Sequence, residues 1–367
     1  MEEKKVLNLN MASLYHHAET VQPVEEKSPR IEALDLFRGV GALAAVGIHV
    51  LQAILKDYPH DSFIWLAAGV VNRLLLFAVP SFLLLTAILL TRKLLKDYDL
   101  KTYYRKRIQG ALFPYLLWSI LYTGIAYKLD PKFTVHDAVV RILTGKSFYH
   151  LYFLGVILQL YLVLPLLVPL FRRPKPLTLL LPLFIGLELG FYWLNRLYLD
   201  LPYLGSVLPW YIVTLGLGMW LGSKSAELPQ IVTRWLPITG TATVVFGVLY
   251  MPYALGFIAG KNVDTFAYQV YEWGYTNSAG LFLLGLLVRF RLPERGKQAL
   301  LFVGIISMQM YLLHRFPVWI MDRFAWTGSP VRLVGLLVFT TLLSLAIPIL
   351  VARWTKDSRL SVLLFGR

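Results

Sequence analysis

Long apolar stretches separated by short polar segments dominate the pattern along the chain. A helix needs about 20 mainly apolar residues to cross a bilayer, and ten stretches approach or exceed that length. The seventh contains Pro252 and Gly256, which are also compatible with a loop at its end. The expected fold class is an all-α membrane protein, a bundle of about ten transmembrane helices. The predicted spans are 36–55, 67–90, 109–127, 150–171, 177–194, 207–222, 236–258, 273–289, 299–319 and 331–352.

The distribution of Lys and Arg indicates the orientation of this bundle. With the N-terminus inside, 24 of the 36 Lys and Arg residues fall on the cytoplasmic side and 8 in the outer loops. The positive-inside rule then predicts a multi-pass protein of the cell membrane with both termini in the cytoplasm. The formal net charge of +15 reflects mostly this topology and contact with anionic lipid. Nucleic acid is not an expected partner.

The predicted organisation has three parts. Residues 1–30 lack the apolar region of a signal peptide and are expected to form a disordered cytoplasmic tail. Residues 31–352 form the transmembrane domain, and residues 353–367 form a cytoplasmic C-terminal tail. The chain contains no cysteine, which excludes disulfides, thiolate catalysis and cysteine metal sites, and we expect no metal cofactor. With no soluble catalytic domain expected, any chemistry takes place within the bundle or at its faces.

The stretch RGVGALAAVGIH places an arginine and a histidine at the two ends of an apolar run. Eleven helical positions make about three turns, so Arg38 and His49 project from nearly the same face, about 16 Å apart along the axis. Ionisable groups within a membrane span are costly and usually functional. We therefore predict a functional stripe, with Arg38 at the cytoplasmic edge and His49 deep in the membrane. The simpler alternative is an arginine at a helix start and one satisfied buried histidine.

Other polar residues lie at membrane depth or at the outer ends of spans. His314 is predicted near the depth of His49, and Glu188 lies near the middle of the fifth span, from which its carboxylate would orient a histidine. Both are candidate catalytic residues; the alternative for each is a polar group that bridges helices without a catalytic part. The candidate substrate-binding residues are Asn72, Arg73, His150 and Tyr152.

The loop TRKLLKDYDLKTYYRKRIQG between the second and third spans is dense in positive charge. One interpretation is a solvated loop that follows the positive-inside rule. The other is a cytoplasmic binding site for a polyphosphorylated ligand, because arginine side chains match the geometry of phosphate groups. In that case Arg38 lies near the site, and the loop residues that bind the ligand are Arg105, Lys106 and Arg107.

These stretches together resemble the acyltransferase-3 family of ten-span membrane enzymes, which move acyl groups onto glycans and other acceptors. LDLFRGVGALAAVGIHV is similar to the first span of the family, and VPSFLLLTAILLTRKL to the second, with Thr86-Ala87 where Ser-Gly is common. YYRKRIQGALFPYLLW resembles a family loop with two arginines three residues apart; Arg107 matches the first, but Gly110 occupies the second place. HLYFLGVILQLYLVLPLL and SMQMYLLHRFPV resemble the fourth and ninth spans.

The resemblance implies an acyl-CoA donor held from the cytoplasmic side, with His49 as general base and Arg38 essential. It implies a membrane O-acyltransferase that moves an acetyl- or succinyl-type group to a hydroxyl of a cell-envelope glycan or exopolysaccharide. The expected partners are the lipid bilayer, acyl-CoA and the glycan acceptor. The reaction's oxyanion needs hydrogen-bond donors, for which the candidates are Asn72, Arg73, Tyr152 and Gln159.

Two other functions remain open at this stage. One is a multispan exporter or flippase of an envelope glycan or lipid-linked precursor, and the other is a subunit that only scaffolds a polysaccharide synthase. The sequence also leaves open the acyl chain, the acceptor, the formation of an acyl-enzyme and the oligomeric state, a homodimer included.

Overall fold

The computed structural model describes residues 31–129, 134–148, 150–173, 175–321, 329–356 and 358–366. These residues form α-helices joined by short 3₁₀ and π turns and loops, and they contain no β-strand. The predicted all-α class is therefore confirmed. The tail predicted for residues 1–30 lies outside the described residues.

The first half of the chain supplies the helices that carry most of the predicted site residues. They are α1 (Glu32–Asp57), α2 (Phe63–Leu74), α3 (Ala78–Lys96), α4 (Leu100–Arg107), α5 (Phe113–Leu129), α6 (Val135–Thr144) and α7 (Tyr152–Leu167). A 3₁₀ turn at Leu75–Phe77 joins α2 to α3, and a π turn at Ile108–Leu112 joins α4 to α5.

The second half begins with α8 (Leu177–Leu194), which ends in a π turn at Asn195–Leu199. The helices that follow are α9 (Ile212–Ser223), α10 (Leu228–Arg234), α11 (Leu236–Ile258), α12 (Thr265–Arg289), α13 (Glu294–Ile305), α14 (Ser307–Leu313), α15 (Arg315–Met321), α16 (Pro330–Trp354) and α17 (Arg359–Phe365). The last of these lies within the segment predicted as a cytoplasmic tail.

Seven of the described helical segments are long and apolar enough to cross a membrane, or up to eight if the pair bent by 64° between α13 and α14 counts as one. These segments match eight of the predicted spans. The other two correspond to α9, which has 12 residues, and to α12, whose 25 residues include the polar run YEWGYTNS. Helix α11 continues through Pro252 and Gly256 as an unbroken helix. The structure thus supports a multi-pass membrane protein, while the count of ten spans and the orientation stay predictions.

Close packing of α1 against α13 fixes the position of the first span. A Cβ atom on Gly39 would lie 2.3 Å from the carbonyl oxygen of Leu300, and one on Gly304 would lie 2.6 Å from that of Asp35. Small residues allow two membrane helices to approach backbone to backbone in this way. The contact therefore brings α13, and α14 that follows it after a sharp bend, against the helix that carries His49.

Candidate active site

Three histidines from distant parts of the chain meet inside the helical bundle. His49 lies in α1, His150 shortly before α7, and His314 between α14 and α15. The ring centroid of His49 lies 5.1 Å from that of His314, with planes inclined by 29°, and 6.4 Å from that of His150. The rings of His150 and His314 are 5.5 Å apart. We call these three residues the histidine cluster.

Hydrogen bonds on two of the imidazoles determine which nitrogen carries the proton. Nδ1 of His49 lies 3.0 Å from Oε1 of Gln52, and Nδ1 of His314 lies 2.7 Å from the carbonyl oxygen of Met310. Because both partners are acceptors, Nδ1 of each ring donates. The neutral ring then keeps a lone pair on Nε2, which is the form that takes a proton from a hydroxyl group.

The three rings differ in their access to a substrate. His150 and His314 are buried, with 3% and 1% of their surface exposed. His49 is only half-buried, although it lies within the same cluster. This difference makes His49 the histidine best placed to meet a reacting group.

Arg315 adds a positive charge to the histidine cluster. It follows His314 in the sequence, is 7% exposed, and lies close enough to all three histidines for electrostatic interaction. Its guanidinium carbon lies 6.0 Å from the centroid of the Phe148 ring. In an environment of low dielectric constant, a fixed cation strongly stabilises negative charge that develops nearby.

A cavity of about 570 Å³ lies against the helix α1 that also carries His49. Its wall includes the basic side chains Arg38, Lys106 and Arg107. Tyr311 also lines the cavity; its ring lies 5.4 Å from that of His150, and its hydroxyl donates to the carbonyl oxygen of that residue. One aromatic residue therefore borders both the cavity and the histidine cluster.

Neighbouring side chains hold two of the basic residues at the cavity in place. The guanidinium of Arg107 lies 5.2 Å from the ring centroid of Tyr161, which also lines the cavity. Nη1 of Arg38 lies 3.3 Å from a carboxylate oxygen of Asp35, one turn earlier in α1. The remaining predicted donor-binding residue, Arg105, is exposed on α4 and lies outside the cavity wall.

Asn72 and Arg73 connect α2 to the part of α1 that carries His49. Asn72 is fully buried and donates from Nδ2 to the carbonyl oxygen of Ile48, at 2.7 Å. Its Oδ1 accepts from Nε and Nη2 of Arg73, at 3.1 and 2.6 Å. The polar atoms of Asn72 thus have partners within the protein, and their bonds support the turn of α1 immediately before His49.

Tyr152 and Gln159, two further candidates for contact with the substrate, lie on α7. The ammonium nitrogen of Lys146 lies 5.8 Å from the ring centroid of Tyr152. Gln159 donates from Nε2 to the carbonyl oxygen of Ser206 and accepts at Oε1 from the backbone N–H of Leu208, at 2.8 and 3.0 Å. Both ends of the Gln159 amide are therefore used to hold the loop before α9.

Glu188 lies apart from the histidines in the contacts that the structure describes. It is 1% exposed in α8, and its Oε2 accepts from the backbone N–H of Val213, at 2.5 Å. Val213 lies in the first turn of α9, where N–H groups have no partner within the helix and favour a carboxylate. The bond gives Glu188 a part in joining α8 to α9.

Among the residues that the structure describes, no group of three or more His, Asp or Glu side chains is arranged to hold a metal ion.

The acyltransferase-3 family pattern, described as an acyltransferase domain, matches residues 31–349. The chain belongs to the acyltransferase-3 family. A comparison with curated proteins and a comparison with solved structures each gave no significant match. The match covers α1 to α15 and most of α16, and therefore all the site residues described above.

The sequence resemblance predicts a second arginine at the position that Gly110 occupies in this protein. Gly110 lies in the π turn that follows α4 and forms part of the cavity wall, next to Lys106 and Arg107. π turns within helices are often found at functional sites. The position at which an arginine was expected therefore lies in the cavity wall, where this protein has a glycine.

Three residues of the candidate site are not among those that the sequence predicts. Gln52 lies one turn after His49, while Tyr311 and Arg315 lie within one turn of His314. Helical spacing of three positions from a histidine indicates Gln52 and Tyr311, and Arg315 directly follows His314 as a charged residue within a predicted span.

Proposed function

We propose that the protein is a membrane O-acyltransferase that transfers an acetyl- or succinyl-type group from cytoplasmic acyl-CoA to a hydroxyl of a cell-envelope glycan or exopolysaccharide. The observation that carries this proposal is the single helix α1. It presents Arg38 to the wall of a basic cavity and His49 to the histidine cluster, about 16 Å further along the axis. Donor binding and proton transfer are thereby joined by one rigid element.

In the proposed reaction, Nε2 of His49 takes the proton of the acceptor hydroxyl as its oxygen attacks the thioester carbonyl carbon. The tetrahedral intermediate carries a negative oxygen, and Arg315 is the nearby cation that stabilises it. The C–S bond then breaks, and the departing CoA thiolate receives the proton from His49. The products are the acylated hydroxyl and free CoA, and the histidine returns to its starting state.

Arg38, Lys106 and Arg107 are proposed to bind the phosphate groups of the donor. Three cationic side chains in one cavity wall suit a ligand with several negative charges. The apolar part of the wall, with Phe82, Phe153 and Tyr311, then leads the uncharged arm towards the histidine cluster.

The acceptor is proposed to reach His49 near Arg73, His150 and Tyr152. Family membership favours acyl transfer over an exporter, a flippase or a scaffold subunit, none of which needs a base within reach of a basic cavity.

The first test is acyl transfer in membranes that contain wild-type protein or the His49→Ala variant. Loss of a general base typically lowers the rate about 10²- to 10⁴-fold, and we expect a loss of this size. His136→Ala is the matched control, because His136 is exposed at the start of α6 and should keep full activity. Mass spectrometry of envelope glycans with and without the protein identifies the acyl group and the acceptor.

The Arg38→Ala variant distinguishes the proposed role of Arg38 in donor binding from that of His49 in proton transfer. We expect it mainly to raise the KM for acyl-CoA. Unchanged activity of His49→Ala in correctly inserted protein would refute the role of His49 as the base. If Arg38→Ala changed only the KM for the acceptor, the proposed position of the donor would be refuted.

A further inference from the structure

Helix α17 is a well-defined element although it has only seven residues. Ser358 caps its N-terminus by accepting from the backbone N–H of Ser361, and Gly366 ends it in the left-handed conformation, at φ 74°. Its last residues pack against α5. Nε1 of Trp118 donates to the carbonyl oxygen of Leu364, at 2.9 Å, and the buried Phe365 lies 6.2 Å from the Trp118 ring.

The end of α17 rests directly on Gly110. A Cβ atom on Gly366 would lie 2.3 Å from the carbonyl oxygen of Gly110 and 2.5 Å from its Cα atom. The positive φ also favours glycine at position 366. Position 110, where the sequence resemblance predicts a second arginine, therefore lies in direct contact with the backbone at the end of α17.

Two residues of α17 and the glycine that ends it line the basic cavity. Val362, Phe365 and Gly366 form part of the cavity wall, together with Gly110, Lys106 and Arg107. Val362 and the neighbouring Leu363 are similarly exposed, at 49% and 54%, but only Val362 lies in the cavity wall. The helix thus adds an uncharged surface to a cavity whose cationic residues, on other helices, suit phosphate groups.

We propose that α17 is a wall of the acyl-donor site, in which the exposed Val362 contacts the uncharged pantetheine arm of the donor and the buried Phe365 holds the helix against α5. This inference rests on the proposed function, because it assumes an acyl-CoA donor in the cavity. Apolar side chains cannot replace an arginine as a ligand of phosphate, but they bury methyl and methylene groups of a pantetheine arm. In this protein Arg38, Lys106 and Arg107 bind the phosphates, and α17 adds an apolar contact beside Gly110.

The natural chain has no cysteine, so single cysteines report on chosen positions without background. The variants are Val362→Cys in the wall of α17, Leu363→Cys as the control on the same helix, and Met308→Cys on another part of the cavity wall. Each full-length protein is labelled with a maleimide in the presence and absence of desulfo-coenzyme A, which has no thiol of its own. At a ligand concentration about ten times Kd, the labelling rate of a covered cysteine should fall about tenfold.

We expect protection of Met308→Cys and Val362→Cys and an unchanged labelling rate for Leu363→Cys. Protection of Met308→Cys alone would overturn the role of α17 and leave the proposed function intact. Equal protection of Val362→Cys and Leu363→Cys would also overturn it, since the ligand would then be shielding the whole helix. If none of the three cysteines is protected, the donor site itself is wrong, and the proposal for α17 fails with it.

Discussion

The direction of one hydrogen bond determines what His49 is able to do. Since Nδ1 of His49 donates to Oε1 of Gln52, the lone pair of the neutral ring is on Nε2. A base also needs a fixed ring orientation, because proton transfer depends on distance and angle. We therefore propose that Gln52 is a positioning residue that acts through His49.

We expect Gln52→Ala to lower kcat about fivefold, which corresponds to the loss of one hydrogen bond worth about 1 kcal/mol. The KM for acyl-CoA should stay unchanged, because Gln52 lies outside the cavity wall. Steady-state kinetics of acyl transfer measures both constants. Gln52→Glu keeps an acceptor oxygen at the same position and should restore most of the rate. A variant in which KM rises and kcat is unchanged would contradict this role.

Between helices, two close contacts at glycines set the positions of the elements that form the candidate site. The first is the crossing of α1 and α13 at Gly39 and Gly304, which places His314 against His49. Helix α1 could be predicted from sequence because its apolar run is local, and Arg38 and His49 follow from the helical period. The meeting of His49 with His150 and His314 could not, because it depends on contacts between segments that are far apart in the chain.

Gly39→Ala should destabilise the protein, because the added Cβ meets the backbone oxygen of Leu300, which no side-chain rotation relieves. Overpacking of this kind costs about 1–3 kcal/mol. Gly155→Ala in α7 is the matched control, since its Cβ meets no atom within 4 Å. In thermal unfolding of the purified protein, we expect a lower Tm for Gly39→Ala and an unchanged or slightly higher Tm for Gly155→Ala. Equal Tm values for the two variants would show that α1 and α13 shift apart at no cost in stability and would contradict the close contact at Gly39.

The second glycine contact gives opposite expectations for one substitution. From the family pattern alone, Gly110→Arg supplies the second arginine and should improve donor binding. In the structure, a Cβ at Gly110 would lie 3.6 Å from the carbonyl oxygen of Gly366, so we expect a long side chain at this position to press against the end of α17. We expect the KM for acyl-CoA to rise about tenfold or more, from an overpacking cost of about 1–3 kcal/mol.

Gly110→Ala is the control for this substitution, because a single methyl group makes only ordinary contact at 3.6 Å. Its KM should equal that of the wild type. A lower KM for Gly110→Arg than for Gly110→Ala would show that the family arrangement is available in this protein and that α17 is not needed at the donor site.

At the scale of the whole molecule, charge and helix length give different kinds of information. The bias of Lys and Arg predicts which loops are cytoplasmic, whereas the length of a helix decides whether it is able to cross the bilayer. Helix α9, with 12 residues, spans only about 18 Å, less than a hydrocarbon core of about 30 Å. The 3₁₀ turn Leu208–Tyr211 directly precedes it and extends the element. If the segments before and after α9 lie on opposite sides of the membrane, α9 crosses it; if they lie on the same side, it does not.

Four single-cysteine variants measure this sidedness in intact cells with a membrane-impermeant maleimide. Lys101→Cys in α4 and Lys261→Cys after α11 test orientation, and Pro202→Cys and Glu227→Cys flank α9; all four positions are exposed. With ten spans and cytoplasmic termini, Lys261→Cys and Pro202→Cys should label in intact cells, and Lys101→Cys and Glu227→Cys only after permeabilisation. Labelling of Pro202→Cys and Glu227→Cys from the same side would show that α9 does not cross. Labelling of Lys101→Cys in intact cells would place the basic cavity outside, where acyl-CoA is not supplied, and would rule out the proposed direction of transfer.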